Sequence, residues 1–582
     1  MAAILVILVI ILPWLGALAV WLAGNKQPKL QHTFAVFYSV LTALASLALL
    51  AFPGSDAVIR MPLGASFGDL TFVPDGLAVS LTAIAAVVGS LAVIFSVDYM
   101  RGEEQLGRYY FLVLFFIGAM IGLVLSGNLL FTFFFWEITA LCSYGLISFY
   151  NDDPKAVAGG IKALIITQVG GVGLLAGALT AFTNLGSFQI ADLLDKAPML
   201  PAASLSFLAF SFLIAAAAKS AQFPFHTWLP DAMEAPTPIS ALIHAATMVN
   251  AGIYLLARFY PAFESVPGWT MSVLVVGLVS AFIAALSALI ATDLKRALAY
   301  STVSQLGYMV FAIGAGGVLA SQFHLLSHAV FKALLFLAAG SVIHSVGTRD
   351  MRRMGGLGQH MPFVRNAFIV GALALAGVPV FNGFWSKELI LEAGLEHAPT
   401  WAYGIMLLGA GLTAFYTFRM VWLVFFGAER DQLHIHRAGE AMRIALGTLA
   451  AGTFVTWLFF GGLNRLLSTT LPFHEIEHES LPEMVSAVLS APATWFTLLV
   501  VGLGFGIAWV RMKGFKHFGG GILQPLVDMS FGFEPINNFV VQTISKFAER
   551  LRATQTGELN WNILGIIGGL LIVLVFLWAG AK

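Results

Sequence analysis

The sequence predicts an all-α polytopic membrane protein of about sixteen transmembrane helices, with two inverted five-helix repeats that each contain a broken helix. Three observations predict it. The 582 residues are 59% hydrophobic and 10% charged, with a mean hydropathy of +0.88, whereas a water-soluble chain of this length keeps a polar surface around its core. Apolar runs of about eighteen residues or more, each able to cross a bilayer, recur along the chain. Two such runs are interrupted by Gly/Pro-containing breaks and carry a lysine, Lys219 and Lys387.

Composition also excludes function classes. The 30 basic and 30 acidic residues cancel, and no basic stripe with interleaved aromatics marks a nucleic-acid surface. Cys142 is the single cysteine, so a disulfide or a cysteine-ligated iron–sulfur cluster held by this chain alone is ruled out. Walker P-loop, H-E-x-x-H, dinucleotide-binding and nucleophile-elbow motifs are all missing from the sequence. The run HEIEHES, His474 to Ser480, contains metal-ligand types, but a solvated charged loop explains it more simply.

In chain order the spans fall at 2–23, 33–52, 77–98, 109–126, 128–150, 157–182, 204–225, 237–260, 269–292, 297–316, 320–345, 363–395, 402–427, 441–461, 494–511 and 559–580. The first has neither a basic n-region nor an A-x-A cleavage site, so it is expected to be retained as a helix. Residues 56–76 show short alternation with turn residues, which predicts a small extended element on the outer face. Residues 520–556 mix apolar residues and charges at helical spacing, the pattern of an amphipathic helix lying at the interface or along a partner. The expected divisions are 1–108, a first repeat 109–260, a second repeat 269–427, and C-terminal helices 428–582.

Loop charge orients the spans. Lys26, Lys29, Arg101, Arg108, Lys155, Lys295, Arg296, Arg349, Arg352, Arg353, Arg430, Arg437, Arg511, Lys513 and Lys516 fall in alternate loops, against Arg60, Lys196 and Arg465 on the other side. By the positive-inside rule the first set is cytoplasmic and both termini lie outside.

The first broken run, Ala218 to Arg258, passes through Lys219, Pro224, Pro230, Pro236 and Pro238 before resuming as a helix with His244. An interrupted membrane helix is tolerated only where protein or water satisfies the freed backbone. A hydrated interior follows. The lysine costs roughly 2.5 to 3.5 kcal/mol on the mildest insertion scale; a lysine at a helix end can also snorkel to an interface, so its neighbours decide. Glu137 stands alone among Phe135, Trp136 and Leu141; it is either a neutral acid donating one hydrogen bond or the counter-charge of Lys219.

Further along, His324, His328 and Lys332 are spaced i, i+4, i+8 and so share one helix face. Histidine titrates near neutrality, and with water in the gaps these groups could pass a proton along. Haem ligation needs histidines on opposed helices, which only His244 could supply against His324 or His328. Lys162 lies nearer a span end, where snorkelling is expected. The paired Gly/Pro breaks near Lys219 and in GVPVFNGFWSKE, with Lys387, point to a site between two inverted halves. Glu137, Lys219, His244, His324, His328, Lys332 and Lys387 therefore predict a hydrophilic axis along which protons move.

The segments FWEITALCSY, AKSAQFPFHTWLPDAMEAPTPISALIHAATMV, DLKRALAYSTVSQLGYM, HAVFKALLFLAAGSVIH and FNGFWSKE resemble the antiporter-like membrane subunits shared by respiratory complex I and Mrp-type cation/proton antiporters. The resemblance covers roughly residues 60–430 and is strongest to the chain L type of NADH:quinone oxidoreductase and the large A-type subunit of Mrp. It implies that Glu137, Lys219, Lys332 and Lys387 carry proton movement, with histidines at His244, His324 and His328. It also implies other membrane subunits as partners, no redox cofactor in this chain, and a bacterial or archaeal plasma membrane location.

Where complex I chains commonly have T-R-V-G-D, this sequence reads TQVGG, with Gln168 and Gly171. That form, with MEAPTPIS and GTRDMRRMGGL, resembles the Mrp side. The amphipathic stretch and final span resemble chain L, without the long Mrp extension. Subunit of a redox-driven proton pump, of an Mrp-type Na+/H+ antiporter and of a membrane-bound hydrogenase-related complex all stand, as does the choice of proton or sodium.

Overall fold

The computed structural model describes residues 2–54, 58–64, 68–429, 438–514, 521 and 523–553. Thirteen helices among them are long and apolar enough to cross a membrane. They run α1 (Ala2–Ala23), α2 (Pro28–Leu49), α3 (Gly76–Tyr99), α4 (Leu106–Leu125), α5 (Leu129–Ile147), α6 (Pro154–Leu185), α7 (Ala202–Lys219), α8 (Thr237–Phe263) and α9 (Trp269–Ile290). After α10 (Leu294–Gly314) come α11 (Val318–Val346), α12 (Pro362–Ala376), α13 (Asn382–His397), α14 (Thr400–Phe426), α15 (Glu440–Thr470), α16 (Leu481–Ser490), α17 (Pro492–Gly514) and α18 (Phe533–Ala553). The expected span 559–580, and the basic residues Arg430, Arg437 and Lys516, lie outside the described residues.

The expected extended element is a two-stranded antiparallel hairpin, β1 (Ile59–Pro62) and β2 (Asp69–Phe72), with Arg60 opposite Thr71. Helix starts follow local chemistry. Asp75 caps α3 by accepting from Ala78 N, 3.0 Å, Asn128 caps α5, and Asp293 caps α10 through Arg296 N. At α6, Asp153 accepts from Lys155 N while Pro154 occupies the first turn, where its missing N–H costs nothing.

α10 is long enough to span but is not among the thirteen, because its inner face carries buried Ser301, Thr302, Ser304 and Gln305. It crosses α9 at very short range. A Cβ on Gly307 would sit 2.6 Å from Ala281 N, and one on Gly277 would collide with Phe311 N. Small residues let membrane helices approach this closely, gaining dispersion contacts where lipid offers no hydrophobic drive. Gly277→Val is therefore expected to cost about 1–3 kcal/mol by overpacking, read as a lower thermal midpoint of the purified protein; an unchanged midpoint would remove the crossing from the account.

Each of the two central stretches contains its broken helix. α7 ends at Lys219, and the chain then passes Ala221 (φ 49) and Pro224 before a short turn at Trp228–Asp231. α8 is itself interrupted: residues Leu242–Ala246 form a π-helical turn around His244, and Thr247 leaves helical geometry altogether. The second break separates α12 from α13 at Gly377 (φ 84) and Val380 (φ 85). A β-branched residue in the left-handed region is costly and persists where the surrounding structure demands it. Both breaks share that kind of backbone, a left-handed non-glycine residue within ten positions of the lysine.

Candidate functional site

Lys219 ends α7 with its side chain wholly buried. Its Nζ donates to the Trp136 carbonyl, 2.8 Å, and lies 4.8 Å from the Trp136 ring centroid. The sequence left Glu137 open, as a neutral acid or as the counter-charge of Lys219; in the structure the two side chains make separate hydrogen bonds. Glu137 is the next residue to that carbonyl, but its carboxylate accepts from Gln168 Nε2 on α6. The two charges share an electrostatic neighbourhood without an ion pair, because α5 turns Glu137 toward α6 while Lys219 reaches the backbone behind it. Gly171 makes the room: a Cβ there would collide with Glu137 Oε1. The Gln168 and Gly171 departures thus build the Glu137 cradle.

Lys387 repeats the theme at the second break. It is 1% exposed, and its Nζ donates to Leu375 O, 2.7 Å, in the last turn of α12. Carbonyls freed at a helix C-terminus attract cations. Gly383 lets α13 approach that turn, since a Cβ there would collide with Ala374 O. Lys332, on α11, is held between the Leu298 carbonyl, 3.2 Å, and the Ser301 hydroxyl, both on α10. All three lysines are thus buried against carbonyl, hydroxyl or ring partners, with no carboxylate at ion-pair distance among the described residues.

The histidines lie between. His324 Nδ1 meets Ser386 Oγ, 2.9 Å, next to Lys387, and its Nε2 meets Gln305 Oε1, 3.1 Å. With both nitrogens engaged by side chains, His324 is ill placed for haem. Its ring centroid is 6.4 Å from that of His328. His328 and His244 are fully buried, and neither ring nitrogen of either has a hydrogen-bond partner among the described residues. His244 packs on Phe336, 4.9 Å between rings.

The seven predicted residues thus form two groups. Glu137 and Lys219 make the first, and His244, His328, Lys332, His324 and Lys387 make the second, linked electrostatically in that neighbourhood. Between them the chain is polar. Ser220 donates to Val249 O, 2.6 Å, bringing the α7 break against the interruption in α8; Thr247, Asn250 and Gln222 are buried there, and Asn250 Oδ1 and Gln222 Oε1 have no partner among the described residues.

Several participants escaped the sequence reading. Ser301 meets Lys332, Gln305 and Ser386 meet His324, and Glu388, 5% exposed, lies beside Lys387. Lys162 was expected to snorkel. Instead it is 5% exposed and pairs with Asp231, 2.8 Å, and Glu534 of α18, 2.5 Å. The amphipathic α18 starts against the first break: Asn537 Nδ2 donates to Pro224 O, 3.1 Å, and Thr227 Oγ1, 3.0 Å, and Phe533 meets Phe223 edge-on. In the HEIEHES loop, both His474 nitrogens meet backbone carbonyls, of Pro472 and Ala257, and no group of three metal-ligating side chains occurs among the described residues.

Fold and site together define a polytopic helical membrane protein with two broken helices and a buried chain of lysines and histidines. Family models described as "NADH:quinone oxidoreductase/Mrp antiporter, TM" and "NADH-Ubiquinone oxidoreductase (complex I), chain 5 N-terminus" match residues 126–413 and 62–110. The chain is 41% identical over 565 residues to NAD(P)H-quinone oxidoreductase chain 5 of Synechocystis sp., covering 90% of this chain and 80% of that one. It is 36% identical over 541 residues to the A1 subunit of the Na(+)/H(+) antiporter of Staphylococcus aureus, covering 86% of this chain and 66% of the relative. Among solved structures, a chain of the Mrp complex from Dietzia sp. superposes with TM-score 0.83 at 28% identity, covering 99% of this chain and 63% of that one. The chain belongs to the antiporter-like membrane subunit family of NADH:quinone oxidoreductases and Mrp antiporters.

Proposed function

We propose that the protein is the proton-translocating subunit of a redox-driven, complex I-like membrane assembly, itself without a redox group. The observation that carries this reading is the burial of Lys219, Lys332 and Lys387 against carbonyls, hydroxyls and rings. An ammonium so held can give up its proton without abandoning an ion pair. The unpartnered nitrogens of His244 and His328 are donors and acceptors that water would complete, since buried polar groups are normally hydrogen-bonded. Residues 109–260 and 269–427 act as two inverted halves, with Glu137 and Lys219 in the first and Lys332 and Lys387 in the second. A change in a neighbouring subunit that alters the Glu137–Lys219 separation then drives the Lys219 proton toward Lys332 and Lys387. Moving one charge against a membrane potential costs about 2.3 kcal/mol per 100 mV, which a change in the interaction of one buried pair can supply. By loop charge, both termini lie outside a bacterial or archaeal plasma membrane.

The longer and closer sequence match to a quinone oxidoreductase chain supports the redox-driven reading. The structural likeness to an Mrp chain over nearly the whole length supports a second, a cation/proton antiporter subunit. Reconstitution of the purified complex in vesicles separates them. Flavin and iron–sulfur absorbance with electron-transfer-driven acidification, indifferent to sodium, is the expected outcome. Sodium-dependent pH change with no copurifying redox absorbance would replace the first reading with the second.

A further inference from the structure

We propose that the trench between α2, α3 and the loop joining α3 to α4 is a binding site for a phospholipid carrying both a phosphate and a primary ammonium, of the phosphatidylethanolamine class. Two cavities, of about 560 and 1130 Å³, share His32, Thr33 and Val97 and so form one continuous trench. The smaller is apolar, walled by Val36, Phe37, Val40, Leu41 and Leu44. From His32 to Leu44 the α2 helix rises about 18 Å at about 1.5 Å per residue. That is close to half of the roughly 30 Å hydrocarbon thickness. The apolar half therefore has the depth of one leaflet, as an acyl chain requires.

At its other end the trench opens into the larger cavity, lined by Lys29 and Arg101 and equally by Glu103 and Glu104. These four side chains are exposed and their charges cancel. A purely anionic headgroup would meet two carboxylates, and a purely cationic one two bases; a headgroup with both charges meets a partner for each. Existing contacts leave these groups available. Arg101 touches Asp98 at 3.4 Å and is 77% exposed, and Glu103 accepts from Tyr150 at 3.2 Å on the surface, contacts worth little in water. His32 is fixed at the junction of the two halves by the Tyr110 hydroxyl, 2.8 Å.

The test uses the assembled complex in nanodiscs of phosphatidylglycerol, with a trace of phosphatidylethanolamine bearing a photoactivatable acyl chain. Label is expected to concentrate on peptides covering residues 32–44 and Val97, and to be displaced by excess phosphatidylethanolamine but not by phosphatidylglycerol. Lys29→Ala and Arg101→Ala should each lower that label about fivefold, the scale of one basic side chain at a lipid surface. Glu103→Gln with Glu104→Gln should abolish the preference over phosphatidylglycerol. Even labelling of all lipid-facing helices, label indifferent to these substitutions, or crosslinking of α2 to a neighbouring subunit would each overturn the proposal. The four side chains are exposed, so the variants test binding rather than folding.

Discussion

Replacing Lys219 by alanine is expected to leave the complex assembled and to lower its proton translocation by roughly two orders of magnitude, the scale of a lost proton-transfer group. Lys219 lies at the first break, wholly buried, and its hydrogen bond runs to the Trp136 carbonyl. Alanine removes the proposed proton carrier while α7, which packs through its neighbours Ala215 to Ala218, keeps its seat. Lys219→Arg makes the sharper test: it retains the positive charge but cannot release it, since a guanidinium stays protonated in proteins. Both variants should therefore fail alike in vesicle acidification driven by electron input. Wild-type flux from an assembled Lys219→Ala complex would sink the assignment, and full activity in Lys219→Arg alone would reduce the residue to a fixed charge. Glu137→Ala should also impair pumping, and the double variant should lose little beyond Lys219→Ala if the two residues act as a unit.

How much of this was legible in the sequence follows from the range of the interactions involved. Spans are local: each needs only its own apolar length, so most positions among the described residues were readable, including α10, whose polar inner face weakens its hydropathy without exposing it; 363–395, read as one span, is instead the two short helices α12 and α13. The breaks were readable for the same reason, since Pro224 and Gly377 act where they stand. Contacts were not. Glu137 Oε2 accepts from Gln168, 31 positions away on another helix, and no periodicity within α5 encodes that choice. Lys162 looked like a snorkelling residue because it sits two turns into α6, yet a partner 372 positions along the chain, Glu534, covers it. Ser301, Gln305 and Ser386 passed unnoticed because small polar residues are common in membrane helices; only the buried lysine or histidine beside each gives it meaning.

The largest loss of stability is expected from Arg258→Ala. Arg258 and Asp75 are 5% and 4% exposed and meet through two parallel contacts, Nη2 to Oδ1 at 2.9 Å and Nη1 to Oδ2. The guanidinium also reaches the Tyr254 hydroxyl through Nε, 3.3 Å, and that hydroxyl in turn bonds Val124 O, 3.0 Å. Asp75 meanwhile caps α3, so one pair joins the end of α8, the start of α3 and the end of α4. Cutting away the arginine strands a buried carboxylate, which typically costs 3–5 kcal/mol. The thermal midpoint of the purified protein should drop accordingly. Asp75→Asn keeps the cap, because asparagine serves that position as well as aspartate. Combined with Arg258→Leu it leaves no buried charge, so the double variant should be more stable than Arg258→Ala, as coupled sites require. A double variant less stable than Arg258→Ala would show that the pair contributes through its contacts rather than through mutual neutralisation, and an unchanged midpoint in Arg258→Ala would show that α8 is anchored elsewhere. Because α8 carries His244 below this anchor, proton translocation in the double variant reports separately whether the pair matters for more than stability.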